Sequence, residues 1–262
     1  MTARLSLEGE EGLRKILAFG DVHADQTLLW SALKAGYACD RTGRPTPPVL
    51  DGRYLIVLMG DLVHPKNLLA YEALTGFSPF DILNQEHLAA ASTVQAAQVL
   101  RVKEYQARGN GHVYVLQGNH DKAAADQSFV LGTAGGLVHS EFDPGRGGLA
   151  LPEDLSGWVL GLPTSVDIDG VQFAHAGPTP GMNSFDDFFY SDPDVKTWWH
   201  AKPWLVKDCG YRFGVYGHTV MARGVYLDLV NALAMVDALD DHQFLELFVH
   251  DDGRIDPRIA RF

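Results

Sequence analysis

Cysteine is nearly absent from this chain of 262 residues: Cys39 and Cys209 are the only two. Two cysteines cannot build a disulfide framework, so a reducing compartment, the cytoplasm, is expected. Long apolar runs are also missing, and none approaches the ~20 residues that cross a bilayer. The first residues lack the basic-then-apolar order of a secretory signal. Positive charge is in deficit, since 21 Lys+Arg against 33 Asp+Glu leave a net charge of −12. That balance argues against duplex nucleic acid as a partner, which needs cations to displace counterions. It argues equally against adhesion to an acidic membrane. There is no internal repeat, low-complexity tract or Pro/Ser-rich linker. The Pro-rich loop Arg41–Pro48 and the Gly-rich loop Gly132–Gly148 are too short to divide the chain, so one domain over 1–262 is expected. At 46% hydrophobic residues, that domain can bury a full core.

The chain alternates short apolar runs with helical patterns. Ile16–Phe19, Tyr54–Met59, Val113–Leu116, Val171–Ala174, Phe213–Tyr216 and Phe244–Val249 are four to six residues long and rich in branched or aromatic side chains, which predicts strands. Between the first two, Leu29, Ala32 and Leu33 share one helical face that stops at Gly36. A longer helix is predicted from about Asn84 to Arg108, ended by Gly109. Helices packed on a sheet follow from this alternation.

Five of the runs end in a small or polar turn carrying a His, Asp or Asn: Gly20-Asp21-Val22-His23, Gly60-Asp61-Leu62-Val63-His64, Gly118-Asn119-His120-Asp121, His175-Ala176-Gly177 and Gly217-His218-Thr219. Ligands bind at the carboxyl ends of strands in α/β sheets. Were all five turns on one sheet, its edge would gather Asp21, His23, Asp61, Asn119, His175 and His218. Taken singly, each turn has an ordinary explanation. Asp commonly caps a following helix, and Asn and Asp favour turns. Their joint occurrence points to a site.

Hard carboxylate and amide oxygens are mixed there with imidazole nitrogens, without any thiolate. This suits Mn²⁺, Fe, Zn²⁺ or Co²⁺ better than Ca²⁺ or a thiolate-lined structural zinc site. Six ligands are too many for one catalytic ion with open positions and about right for two ions sharing a carboxylate. Two dications, two aspartates and one hydroxide leave a charge of about +1, which attracts phosphate.

The ordered blocks Asp21–His23, Gly60–Asp61, Gly118–Asp121, His175–Gly177 and Gly217–Thr219 resemble those of the calcineurin-like metallophosphoesterase superfamily. His175-Ala-Gly-Pro-Thr-Pro and Tyr190-Ser-Asp-Pro-Asp are similar to segments of its phosphoprotein phosphatase branch, the serine/threonine protein phosphatases. The resemblance implies an α/β fold of two packed β-sheets flanked by helices, a four-layer α-β-β-α sandwich. It implies one ion on Asp21, His23 and Asp61, with Asp61 bridging to a second on Asn119, His175 and His218. Mn²⁺ is the first expectation for both. A hydroxide bridging the ions would attack phosphorus, and His120 would be the catalytic His that assists the leaving oxygen.

The second block departs from that branch. It reads Gly60-Asp-Leu-Val-His-Pro-Lys66, so His64 replaces the Asp that orients the catalytic His, and Pro65 replaces a phosphate-clamping Arg. The second clamping Arg aligns near Cys209. Lys66 and Arg212 are the nearest cations and the expected substrate contacts, although a Lys cannot reproduce bidentate guanidinium recognition. Dinucleoside-polyphosphate hydrolases of the group also lack the orienting Asp but keep the Arg. A phosphomonoester such as a phosphoprotein is therefore the expected substrate. A nucleotide phosphodiester or dinucleoside polyphosphate is the alternative, and a degenerate binding protein a third reading. A helical insertion is expected at about 68–108, either as a lid or as cover for a sheet edge. The aromatic stretch Phe185–Trp204 could wall a substrate groove or simply pack.

Overall fold

The computed structural model describes residues 2–5, 14–127, 131–132, 136–185, 196–250 and 252–262. Its strands are β1 (Thr2–Leu5), β2 (Arg14–Phe19), β3 (Tyr54–Leu58), β4 (Val113–Val115), β5 (Ser165–Ile168), β6 (Val171–Ala174), β7 (Phe213–Tyr216), β8 (Tyr226–Asp228), β9 (Leu233–Met235), β10 (Gln243–Val249) and β11 (Ile255–Arg261). The labelled helices are α1 (Gln26–Ala35), α2 (Pro47–Leu50), α3 (Leu68–Thr75), α4 (Gln85–Arg108), α5 (Asn119–Asp126), α6 (Glu153–Leu160) and α7 (Pro180–Ser184).

The strands form two sheets. One has the order β11-β10-β2-β3-β4 and the other β1-β5-β6-β7-β9-β8. Within the first, β2, β3 and β4 run parallel. Within the second, β6, β7 and β9 run parallel. Period-two alternation builds the layers. On β2, Ile16 and Ala18 face the other sheet and join Leu55, Val57, Leu245, Val166, Phe173 and Val215 in the inter-sheet core. Leu17 and Phe19 point the opposite way, to a core shared with Leu29 and Leu33 of α1, Val99, Val102 and Tyr105 of α4, and Leu155 and Val159 of α6. The outer face of the six-stranded sheet carries Tyr216, against which Trp198 packs edge-on at 4.9 Å. The result is the expected two-sheet sandwich flanked by helices.

The helix boundaries follow from local chemistry. The Asp25 carboxylate caps α1 by accepting from the Leu28 N–H, and Asn84 caps α4 by accepting from the Glu86 and His87 N–H groups. Gly36 and Gly109 end the two helices. Within the 68–108 segment, the second half of α4 belongs to the helical layer on the five-stranded sheet. Tyr71, Phe80 and Ala91 form a separate small core that joins α3 to the start of α4. No helix among the described residues is long and apolar enough to cross a membrane.

Candidate metal centre

The five turns come from two sheets rather than one, which corrects the single-sheet expectation. Those after β2, β3 and β4 belong to the five-stranded sheet; those after β6 and β7 belong to the six-stranded sheet. Both sets of parallel strands end at the same edge of the sandwich, so the turns still meet. Close backbone approach there requires glycine. A Cβ on Gly20 would lie 2.0 Å from the Val236 carbonyl oxygen, and one on Gly60 would lie 2.6 Å from the Gly118 nitrogen. His23, Asp61, His64 and His218 all adopt positive φ (45°, 48°, 66° and 63°). Such non-glycine backbone costs about 1–3 kcal/mol per residue and persists where the surroundings enforce it.

Asp61 is the hub. Its Oδ1 accepts the His120 peptide N–H at 2.9 Å. Its Oδ2 lies 3.3 Å from Nε2 of His175, 3.8 Å from Nε2 of His23 and 4.0 Å from Nε2 of His120. The ring orientations are set from behind. His23 Nδ1–H donates to the His64 carbonyl at 3.0 Å, and His175 Nδ1–H donates to the Met59 carbonyl at 2.7 Å. Each bond turns Nε2 toward Asp61, which is how a ligating imidazole is usually held. The Asn119 Oδ1 lies 3.0 Å from both His175 Nε2 and His218 Nδ1. Asp21 reaches the group from β2, its Oδ2 accepting the His218 peptide N–H at 2.8 Å. The structure thus brings all six expected ligand residues together.

Asp121 does something else. Its two oxygens accept the Gly118 and Leu62 N–H groups at 3.0 and 2.7 Å, tying the start of α5 to the β3 turn. Burial, and then Asp61, push its pKa up to about 7.

Electrostatics separate the members. Burial opposes charge on His175, yet Asp61 and Asp21 beside it push its pKa up to about 10. Burial raises the Asp21 carboxyl well above the usual range, and neighbouring Asp237 adds to the rise. Burial holds His218 down to about 3 and His120 well below its ordinary value. Two carboxylate oxygens, Asp21 Oδ1 and Asp237 Oδ2, are buried without a hydrogen-bond partner. Hard oxygens without hydrogen-bond donors, set among imidazole nitrogens, fit divalent transition-metal ions. The donor atoms fall into groups spanning under 4.8 Å, including Asp61 with His175 and His218, and Asp21 with His23 and Asp237. Two such groups are consistent with a dinuclear centre.

Asp237 was not among the expected residues. It follows β9 in Val236-Asp237-Ala238, a strand end without the glycine that marked the other turns.

His120 has its Nδ1 3.0 Å from Nδ1 of His64, so His64 does touch it where the orienting Asp would stand. Behind them lies a second buried group. The His64 and His139 rings stack at 4.5 Å with 6° between planes. Tyr71 donates its hydroxyl proton to Glu141 Oε1 at 2.6 Å and lies 2.8 Å from His139 Nδ1. Gln95 donates to the same Glu141 oxygen at 2.9 Å and accepts the His64 peptide N–H at 2.7 Å.

Neither expected substrate cation is free at the site. Lys66 Nζ is held 3.1 Å from Asp237 Oδ1 and 2.8 Å from Asp240 Oδ2. Burial opposes its charge, but those two carboxylates hold its pKa above the ordinary value. Arg212 precedes β7, at the end of the strand opposite His218, and lies against Gly170 and Gly253. Roughly 13 Å of strand separates the two ends, too far for a phosphate contact. Cys209, where the second clamping Arg aligns, follows the short helical turn Leu205–Asp208 and is exposed. A cleft of about 360 Å³ opens beside His23, lined by Thr27, Pro65, Ala70, Leu74, Val94 and Gln98 among others, with no Lys or Arg among the described residues. In the aromatic stretch, Phe188, Phe189 and Tyr190 lie outside the described residues, as does the Tyr190-Ser-Asp-Pro-Asp segment. Phe185 packs edge-on to the His175 ring at 5.6 Å, and Trp198 donates its indole N–H to the Ala176 carbonyl at 3.0 Å.

This sandwich, with a His/Asp cluster at one edge of both sheets, defines a metallophosphoesterase. The chain belongs to the calcineurin-like phosphoesterase family, whose pattern matches residues 14–230. Among solved structures it is similar to a point mutant of a cold-active protein tyrosine phosphatase, at 15% identity and a TM-score of 0.58, covering 98% of this chain and 81% of that one. The cold-active protein-tyrosine phosphatase of a psychrophilic Shewanella species matches at 16% identity and a TM-score of 0.54, with the same coverage. A protein serine/threonine phosphatase from Saccharomyces cerevisiae matches at 11% identity and 0.53, covering 100% and 84%. At these identities the likeness is one of fold. Comparison with curated proteins finds no match.

Proposed function

We propose that the chain is a dinuclear-metal phosphoesterase that hydrolyses phosphate monoesters, in the manner of a serine/threonine protein phosphatase. The observation that carries this reading is the convergence of the His23, His120 and His175 Nε2 atoms on a single oxygen of Asp61. Asp21, His23 and Asp61 would hold one ion, and Asp61, Asn119, His175 and His218 the other, with Mn²⁺ the first candidate and Fe, Zn²⁺ or Co²⁺ fitting the same donors. Such ions, when bound, supply positive charge for the phosphoryl oxygens and lower the pKa of water.

The chain's own residues do the rest. Met59 and His64 carbonyls fix the His175 and His23 rings, so little reorganisation is left for binding. The Asp61–His120 peptide bond keeps the His120 ring beside the hub. With the shared proton on His64 Nδ1, His120 accepts at Nδ1 and carries its own proton on Nε2, the nitrogen facing Asp61. From there the N–H donates a hydrogen bond to the ester oxygen and stabilises the negative charge that builds on it as water attacks phosphorus and the ester bond breaks. We also propose that the chain works as one domain, in which α3 and the middle of α4 wall the cleft beside His23.

That cleft favours a second reading. With Lys66 occupied and no cation among its described lining residues, the cleft suits an uncharged or nucleoside substituent, as in a phosphodiester or dinucleoside polyphosphate. An Mn²⁺-supplemented panel of phosphopeptides, mononucleotides, cyclic nucleotides, dinucleoside polyphosphates and bis-p-nitrophenyl phosphate tests both. Dominant monoester turnover supports the first reading. Dominant diester or anhydride cleavage replaces it with the second. Turnover of nothing by Mn²⁺-loaded protein contradicts both and leaves a binding protein.

A further inference from the structure

Asp237 is almost fully buried, and its two oxygens have different surroundings. Oδ1 accepts from Lys66 Nζ at 3.1 Å, whereas Oδ2 has no hydrogen-bond partner. Asp21 beside it is equally buried, and its Oδ1 also lacks a hydrogen-bond partner, with His175 Nδ1 3.9 Å away. One ligand atom each from Asp21, His23 and Asp237 lies within 4.8 Å of the others. Two buried carboxylates at that spacing repel each other unless a cation stands between them. Lys66 does not fill that role alone, because it is shared with Asp240 and reaches only Oδ1 of Asp237.

The local backbone is built for this approach. Asp237 follows β9, which neighbours β7 in the six-stranded sheet, and its carbonyl accepts the Met221 N–H at 3.0 Å. Gly20, immediately before Asp21, admits the chain at Val236 and Asp237 so closely that a Cβ there would meet the Asp237 Cα at 2.9 Å.

We propose that Asp237 is a further metal-ligating carboxylate, which joins Asp21, His23 and Asp61 around the first ion and links that ion to Lys66. The proposal rests on the dinuclear reading above and adds an asymmetry to it. The first ion then sees three carboxylates and one imidazole. The second sees one carboxylate, one amide oxygen and two imidazoles. Oxygen-rich sites suit Mn²⁺ or Mg²⁺, and nitrogen-rich sites suit Zn²⁺ or Fe. Lys66 becomes a charge-balancing partner of the ligand set.

The test is titration of chelator-stripped protein with Mn²⁺, followed by calorimetry and by electron paramagnetic resonance of the bound ion. Wild-type protein is expected to bind two ions. Asp237→Asn should retain one at wild-type affinity and weaken the other tenfold or more. Lys66→Met removes the neutralising cation but not the ligand, so both ions should bind as in wild type or more tightly. Should Asp237→Asn fold poorly, the Asp237→Asn/Lys66→Met double variant removes both buried charges together and should show the same loss at one ion. Two ions at wild-type affinity in either Asp237 variant would overturn the proposal and reduce Asp237 to a counter-ion of Lys66. Wild-type protein that binds no ion would instead sink the dinuclear reading, and this inference with it.

Discussion

Two groups of buried histidines meet at His120, one on each side of its ring, and they differ in how many carboxylates stand among the rings. On the Nε2 side stand Asp21, Asp61, His175 and His218, with Asp237 close by. There the carboxylates win at one ring: His175 is pushed up to about 10 against its own burial, while burial still holds His218 down to about 3. On the Nδ1 side stand His64, His139, Tyr71, Glu141 and Gln95. There burial wins. It drives His64 well below the ordinary imidazole value and His139 down to about 4, and it raises the Glu141 carboxyl. The same residue types thus form a group with several carboxylates, which calls for cations, and a group with the single carboxylate Glu141, which positions rings. At His175 the difference is direct contact with a carboxylate, Asp61 Oδ2 at 3.3 Å.

The largest expected effect comes from emptying the carboxylate-rich side. Asp61→Asn is nearly isosteric, so the fold should survive with an unchanged circular dichroism spectrum. Both ions should be lost by elemental analysis, and hydrolysis should fall to background. His120→Asn, on the boundary, should keep both ions while kcat drops roughly 10²–10³-fold, the range for losing a donor to the developing charge. Retained turnover in either variant would break the division of roles between hub and hydrogen-bond donor.

A smaller effect is expected from the side with the single carboxylate. His64→Ala removes the contact at His120 Nδ1 and frees that ring without touching an ion. A misplaced catalytic group costs on the order of 10- to 100-fold, so kcat should fall by that much with KM and metal content held. His64→Asp offers a carboxylate that favours the doubly protonated ring, with Nε2–H still facing Asp61, and should restore most of the loss, which a purely structural role for His64 would not allow. A rise in KM with unchanged kcat would show that His64 serves substrate binding instead.

Glu141 should give the smallest effect and the clearest sign. Burial raises its folded-state pKa above the unfolded value, only partly offset by hydrogen bonds from Tyr71 and Gln95. A group raised in this way stabilises fully below the unfolded pKa and loses that contribution as pH rises through the folded one. Glu141→Gln keeps an oxygen for both donors and cannot ionise. Thermal melts should therefore favour Gln over wild type increasingly as pH rises above about 4.5. A difference independent of pH would mean that Glu141 does not titrate across that range.

How far each side was legible in the sequence follows from its construction. Asp21, Asp61 and Asn119 stand directly after a glycine that lets two strand ends approach, and that glycine is a local signal. Asp237 lacks it, because the glycine that admits it, Gly20, lies 217 positions earlier. The strand before it, Leu233–Met235, is too short to stand out as a run. The division of the turns between two sheets was equally hidden, since a strand end looks the same whichever sheet it joins. Lys66 and Arg212 were chosen by closeness in sequence, but one is claimed by two carboxylates and the other lies at the wrong end of its strand. The group around Glu141 draws Tyr71 and Gln95 from the 68–108 segment and His139 and Glu141 from a distant loop. No spacing rule connects such residues, and only the fold does.

The most direct test of the account is the number of Mn²⁺ ions bound per chain by chelator-stripped wild-type protein at saturation. The arrangement around Asp61 predicts two, both lost in Asp61→Asn. A single ion in wild-type protein, or two ions retained in Asp61→Asn, would contradict a shared carboxylate at the centre of the site.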